Sequence, residues 1–101
     1  MSINLKAITV CLGYQQITDL SSAVGLTVPE VDKTGLKQMP TIALITPLTG
    51  NVRWRDDGTA PTASVGMIIG AGTTLPYTGD LNAIKLIQAT ASAKLNISYY
   101  G

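Results

Sequence analysis

The chain has 101 residues, 13% of them charged, with seven Lys and Arg against six Asp and Glu for a formal net charge of +1. Soluble domains commonly carry roughly 25% charged residues, so this exterior is poor in charge; no run of like sign exceeds Asp56-Asp57, so nothing in the sequence steers toward nucleic acid, and only clustering of the scattered cations on folding would make the basic stripe through which such binders displace counterions. No window approaches the roughly 18 apolar residues that span a bilayer, and the first residues lack the charged leader of a signal peptide, so the expectation is a soluble, cytoplasmically made protein with neither nucleic acid nor membrane as partner.

A chain of this size reads as one domain over residues 1–101, able to bury roughly two-thirds of its unfolded surface without disulfides. Hydrophobic residues make up 46% and aromatics 5%, with no Phe. Glu occurs once and Arg twice, whereas β-branched residues are abundant, a balance that favours strands over surface helices.

In chain order, Leu5 to Leu12 reads as a first strand ended by Gly13, and Tyr14 to Thr18 as a short second one. Cys11, the only cysteine, reads as a buried thiol in this alternating segment. Ala23 to Val28 places Val24, Leu26 and Val28 on one face until Pro29, which cannot donate to a ladder, stops it. Glu30 to Pro40 is the most polar stretch and reads as a long surface loop, a length that often marks function. Thr41 to Thr46 is apolar on both faces, which places Leu44 in the core. Asn51 to Arg55 alternates, with Val52 and Trp54 inward and Arg53 and Arg55 outward. Asp57-Gly58 marks a turn. Val65 to Ile69 and Thr73 to Thr78 read as a hairpin around Gly70-Ala71-Gly72, and Gly79-Asp80 turns the chain again. Ala83 to Ala89 and Lys94 to Tyr100 read as a final pair of strands, with Leu95, Ile97 and Tyr99 in one inward register. About seven or eight short strands at this spacing imply an all-β, antiparallel β-sandwich or jelly-roll-like barrel.

The residues for chemistry are few. The sequence contains no His, which removes the commonest general base and metal ligand, and one Cys cannot build a thiolate zinc site. Asp56 and Asp57, with Thr59 nearby, have oxygens for a hard cation, but their spacing does not match a calcium loop; a turn in which Asp57 bonds nearby amides fits better. The glycines at 70 and 72 precede no helix pattern and make no phosphate cradle. No catalytic residue, metal or cofactor is expected. Charge is concentrated instead in Arg53-Trp54-Arg55-Asp56-Asp57, either as an internal network in which arginines clamp aspartates or as contacts to a neighbouring subunit, for which Arg is well suited. Tyr77 and Tyr100, apolar bodies with polar tips, are further interface candidates.

Val52 to Met67 (VRWRDDGTAPTASVGM), Ala71 to Gln88 (AGTTLPYTGDLNAIKLIQ) and Ala93 to Tyr100 (AKLNISYY) together resemble a family of small β-rich structural proteins of tailed bacteriophages and prophages. The link Glu30 to Pro40 is longer than in that pattern. The resemblance implies a non-enzymatic virion component with a decoration, cement or head-to-tail accessory role and does not fix its position; the leading expectation is a homo-oligomeric capsid decoration or cement protein that stabilises the shell through contacts with the major capsid protein or other virion subunits. Two alternatives stand beside it: a head-to-tail connector or tail accessory protein, and a small carbohydrate- or host-surface-binding sandwich using an exposed Trp54.

Overall fold

The computed structural model describes residues 10–33 and 36–101, so the expected strand at Leu5 to Leu12 lies mostly outside the described residues. The protein is all-β. Among the described residues ten strands are formed: β1 (Cys11–Ile17), β2 (Val24–Gly25), β3 (Val31–Lys33), β4 (Leu36–Gln38), β5 (Ile42–Leu48), β6 (Val52–Arg55), β7 (Met67–Ile69), β8 (Leu75–Tyr77), β9 (Lys85–Gln88) and β10 (Lys94–Tyr100). Eight of them build two antiparallel four-stranded sheets, in the orders β1-β10-β5-β8 and β2-β9-β6-β7, while β3 and β4 pair only with each other.

Alternation explains which faces meet. From the first sheet Ala43, Ile45, Leu95, Ile97, Tyr99 and Tyr77 turn inward; from the second come Val52, Ile69 and Leu86, with Leu20, Leu81 and Ile84 supplied by connections. Ala43 lies opposite Tyr99 on one side and Tyr77 on the other, a small residue between two large ones, as close packing requires. The Tyr99 hydroxyl, carried inward with its ring, donates to Gln15 Oε1 at 2.7 Å.

Several sequence expectations are corrected. Gly13 does not end a strand: it lies within β1, where the register with β10 shifts between Cys11 and Gly13, as a bulge permits. Cys11 is exposed, because it lies opposite Tyr100 on the outer face of the sheet, beside Ser98, while Leu12 turns inward. Leu44 is only half-buried, since β5 alternates and it is Ala43, Ile45 and Pro47 that face the core; a segment apolar on both faces conceals this. Glu30 to Pro40 is not simply a loop, because β3 and β4 pair within it, Val31 opposite Gln38, and so satisfy each other's backbone groups.

The two expected C-terminal hairpins do not form. β7 pairs with β6 and β8 with β5, so the chain crosses between sheets at Gly70–Thr74; β9 pairs with β6 and β2 whereas β10 pairs with β5 and β1, so it crosses again at Ala89–Ala93. Asn51 ties these crossings together. Its carbonyl accepts from Ala89 N at 2.8 Å and Thr90 N at 3.2 Å, while its Oδ1 accepts from Ala71 N at 3.0 Å. Pro47 is tolerated in a central strand because its carbonyl accepts from Gly72 N on the β8 side, and β8 pairs only as far as Ile45. Its missing N–H would point to that same side, where no ladder partner exists.

Candidate functional site

At one end of the second sheet the inward faces of β6 and β7 are not fully covered. Trp54 and Met67 are directly opposite across the two strands and so share the core-facing side, yet Met67 is 61% exposed. Trp54 packs one edge against the core, meeting the Tyr77 ring at 70° with centroids 5.7 Å apart, an edge-to-face arrangement favoured by the ring quadrupoles. The remainder of the indole lines an open groove of about 550 Å³ with Arg55, Asp56, Asp57, Val65, Gly66 and Met67. Trp54, expected in the core, thus stands half in the core and half in the groove.

Beside the groove the apolar surface continues. Val65 is 52% and Ile68 55% exposed, and Ile68 lies opposite Arg53 on the outer face of the sheet. Exposed apolar side chains scattered singly need no explanation, but Val65 and Met67 in the groove wall, with Ile68 on the other face, leave this sheet edge apolar on both sides, as docking sites are.

The charged residues frame this patch. Arg55 binds Asp57 bidentately, Nε to Oδ1 at 3.0 Å and Nη2 to Oδ2 at 2.5 Å. This bond is the main cause of an Asp57 pKa below its usual 3.8, with the Thr59 amide adding to it, and it raises that of Arg55. Asp56 is drawn to a different partner: its Oδ2 accepts the Tyr77 hydroxyl at 2.6 Å. Burial first, and then the Asp56 carboxylate, push the Tyr77 hydroxyl well above its usual 10.0. Tyr77 is therefore a core residue with its tip at the groove rim, not the interface residue expected from its amphipathic character: the alternation of β8 turns Leu75 and Tyr77 inward and leaves Pro76 outside.

Among the described residues Arg53 bonds to backbone carbonyls and to no aspartate. Its Nε donates to Ala63 O at 3.0 Å and its Nη1 to Gly66 O at 2.9 Å, so it holds the connection 56–66 in place from the outer face. Gly66 is required there, with φ +142° and a position where a Cβ would lie 3.1 Å from the Trp54 carbonyl oxygen.

Arg55, Asp56 and Asp57 therefore meet around Trp54, as their proximity in sequence suggests. Tyr100 is not part of this site; it lies half-buried on β10, opposite Cys11 and Ile42 in the other sheet. Val65, Met67 and Ile68 were not singled out from the sequence. Their signal was the apolar run Met67-Ile68-Ile69, which reads equally well as a buried strand. Chemically, the groove offers an aromatic and aliphatic wall bordered by an ion pair and a carboxylate already engaged by a phenol, an arrangement suited to holding a molecular surface.

These features define a two-sheet antiparallel β-sandwich with an apolar groove at one sheet edge. Compared with family models, curated proteins and solved structures, the chain matches none.

Proposed function

We propose that the protein is a non-enzymatic virion subunit of a tailed bacteriophage, made in the host cytoplasm, that decorates and cements the capsid by docking onto the major capsid protein and other subunits. The observation that carries this reading is the exposure of Val65 and Met67 in the wall of the Trp54 groove, with Ile68 exposed on the outer face of the same sheet edge. Interface cores are apolar, poor in charge and rich in aromatic and Met side chains, and this patch has that composition on a chain only 13% charged. The resemblance of residues 52–100 to small phage structural proteins supplies the virion context.

Electron microscopy and mass spectrometry of purified particles test the proposal. Copies in the hundreds on the shell support decoration; a single ring at the neck supports the connector or tail alternative; absence from particles overturns both. A second reading, a carbohydrate- or host-surface-binding module, is favoured by Trp54 lining the groove beside Arg55 and Asp57. It requires saturable quenching or a blue shift of Trp54 emission by oligosaccharides, and fluorescence indifferent to a panel of sugars removes it.

A further inference from the structure

Each sheet of a sandwich has two edges, and an edge whose backbone groups are unpaired is a template for another strand unless it is guarded. Three of the four edges here are guarded. On β8, Pro76 occupies the middle position, and proline cannot donate to an added strand. β1 is bulged at Gly13 and covered by the segment after β2: Thr27 N donates to Gln15 Oε1 at 3.0 Å, and a Cβ on Gly13 would lie 3.0 Å from the Pro29 ring. β2 is only two residues long. β7 is also short, three residues, but its apolar edge carries none of the other guards. It has no proline, no charged residue and no bulge, and among the described residues no backbone bond outside its pairing with β6 reaches it.

We infer that β7 is a self-association edge, and that a second copy of this chain adds its own β7 antiparallel about a two-fold axis at Ile68, joining two four-stranded sheets into one of eight strands. The sequence of β7 complements itself. Ile68 meets Ile68 across the axis and Met67 meets Ile69, so each cross-strand pair is apolar and no like charges are opposed. Arg53, the nearest cation on the outer face, is turned away onto Ala63 O and Gly66 O. A net charge of +1 offers little long-range repulsion between copies. The same approach covers Met67 and Val65, the most exposed apolar groups around the groove. The inference rests on the reading of this end of the second sheet as a docking surface and names its partner.

The test uses the full chain. Sedimentation velocity over a concentration series should show a monomer–dimer equilibrium, and Ile68→Lys, which sets like charges face to face at the axis on an already exposed position, should weaken it more than tenfold while leaving the circular dichroism spectrum unchanged. In a Cys11→Ser background, Ile68→Cys should be joined into a covalent dimer by a short bis-maleimide, because facing Cβ atoms in an antiparallel pair lie roughly 4.5–5.5 Å apart; a control cysteine at exposed Ser64, off the strand, should not. A wild-type chain monomeric at all concentrations, or cross-linking at 68 no faster than at 64, overturns the inference. The two readings fail separately. Particles that carry a chain monomeric in solution and uncross-linked at 68 sink the self-association edge alone, whereas a dimer absent from particles sinks the virion role alone.

Discussion

Replacing Tyr77 by Phe removes one hydroxyl from the junction between core and groove and leaves the ring in place. The bond lost is short, 2.6 Å, and its acceptor is a carboxylate; hydrogen bonds to charged groups contribute about 1.5–3 kcal/mol net. Two features of the site lower that figure. Asp56 is exposed, so water replaces the phenol, and Phe leaves no buried polar atom behind, which together put the cost at about 1–1.5 kcal/mol. In a domain of this size each kcal/mol moves the melting midpoint by about 4–8 °C, so a drop of roughly 4–12 °C is expected. Urea unfolding should show a lower midpoint at unchanged slope, with Trp54 emission nearly unaltered because its edge-to-face contact survives. A double-mutant cycle with Asp56→Ala should return a coupling of about 1 kcal/mol; a value below about 0.3 kcal/mol refutes the bond as a stabilising element. The alkaline limb gives an independent check. Because the folded-state pKa of Tyr77 is raised above 10.0, its contribution is complete below pH 10 and is lost as pH rises through the folded value. The Phe variant should lack that part of the decline and keep the part due to Tyr99, whose hydroxyl is pushed up by burial to about 12.

Gly79→Ala should reproduce and exceed the Tyr77→Phe loss in thermal melts, since its Cβ would fall 2.5 Å from the Tyr77 hydroxyl oxygen; placed in the Phe background it should cost less than in the wild type. Ile97→Ala, at a fully buried position, should destabilise by about 2–5 kcal/mol, and Leu44→Ala, on the outer face of β5, by less than half as much in the same urea titration. Because the Arg55 bond holds the folded-state pKa of Asp57 below 3.8, its contribution is present above pH 3.8 and lost as pH falls through the lower folded value. Asp57→Asn should therefore flatten the acid limb of the stability profile while leaving the alkaline limb untouched.

Strand existence was readable wherever one face is wet: Val52 and Trp54 against Arg53 and Arg55, or Leu95, Ile97 and Tyr99 against Asn96 and Ser98, alternate in the sequence as they do in the sheets. Strand partnership was not. Gly70-Ala71-Gly72 and Thr90 to Ala93 are each short enough to close a hairpin, and nothing local distinguishes a chain that turns back within a sheet from one that steps to the facing sheet; that choice depends on Asn51, distant in sequence, receiving both connections. Leu44 was misplaced because Ile42 to Ile45 carries no polar residue to mark its outer face. Among the site residues, Arg55, Asp56 and Asp57 were visible as a concentration of charge. Val65, Met67 and Ile68 were not, since their exposure follows from β7 lying at a sheet edge, a property of the assembled sheets.

The order of strands in the sheets also sets a schedule for acquiring them. Among the described strands only β3–β4 and β6–β7 join neighbours in sequence, and β1, made earliest of them, pairs with β10, made latest. β10 sits between β1 and β5, so a nascent chain holds both with their intended neighbour still unmade. Pairings so remote in sequence must meet the entropy of closing long loops before any contact rewards them, which slows folding. Until β10 arrives, two seven-residue strands remain available to any other chain in reach, so the interval between synthesis and closure is when this protein is most exposed to pairing with the wrong partner.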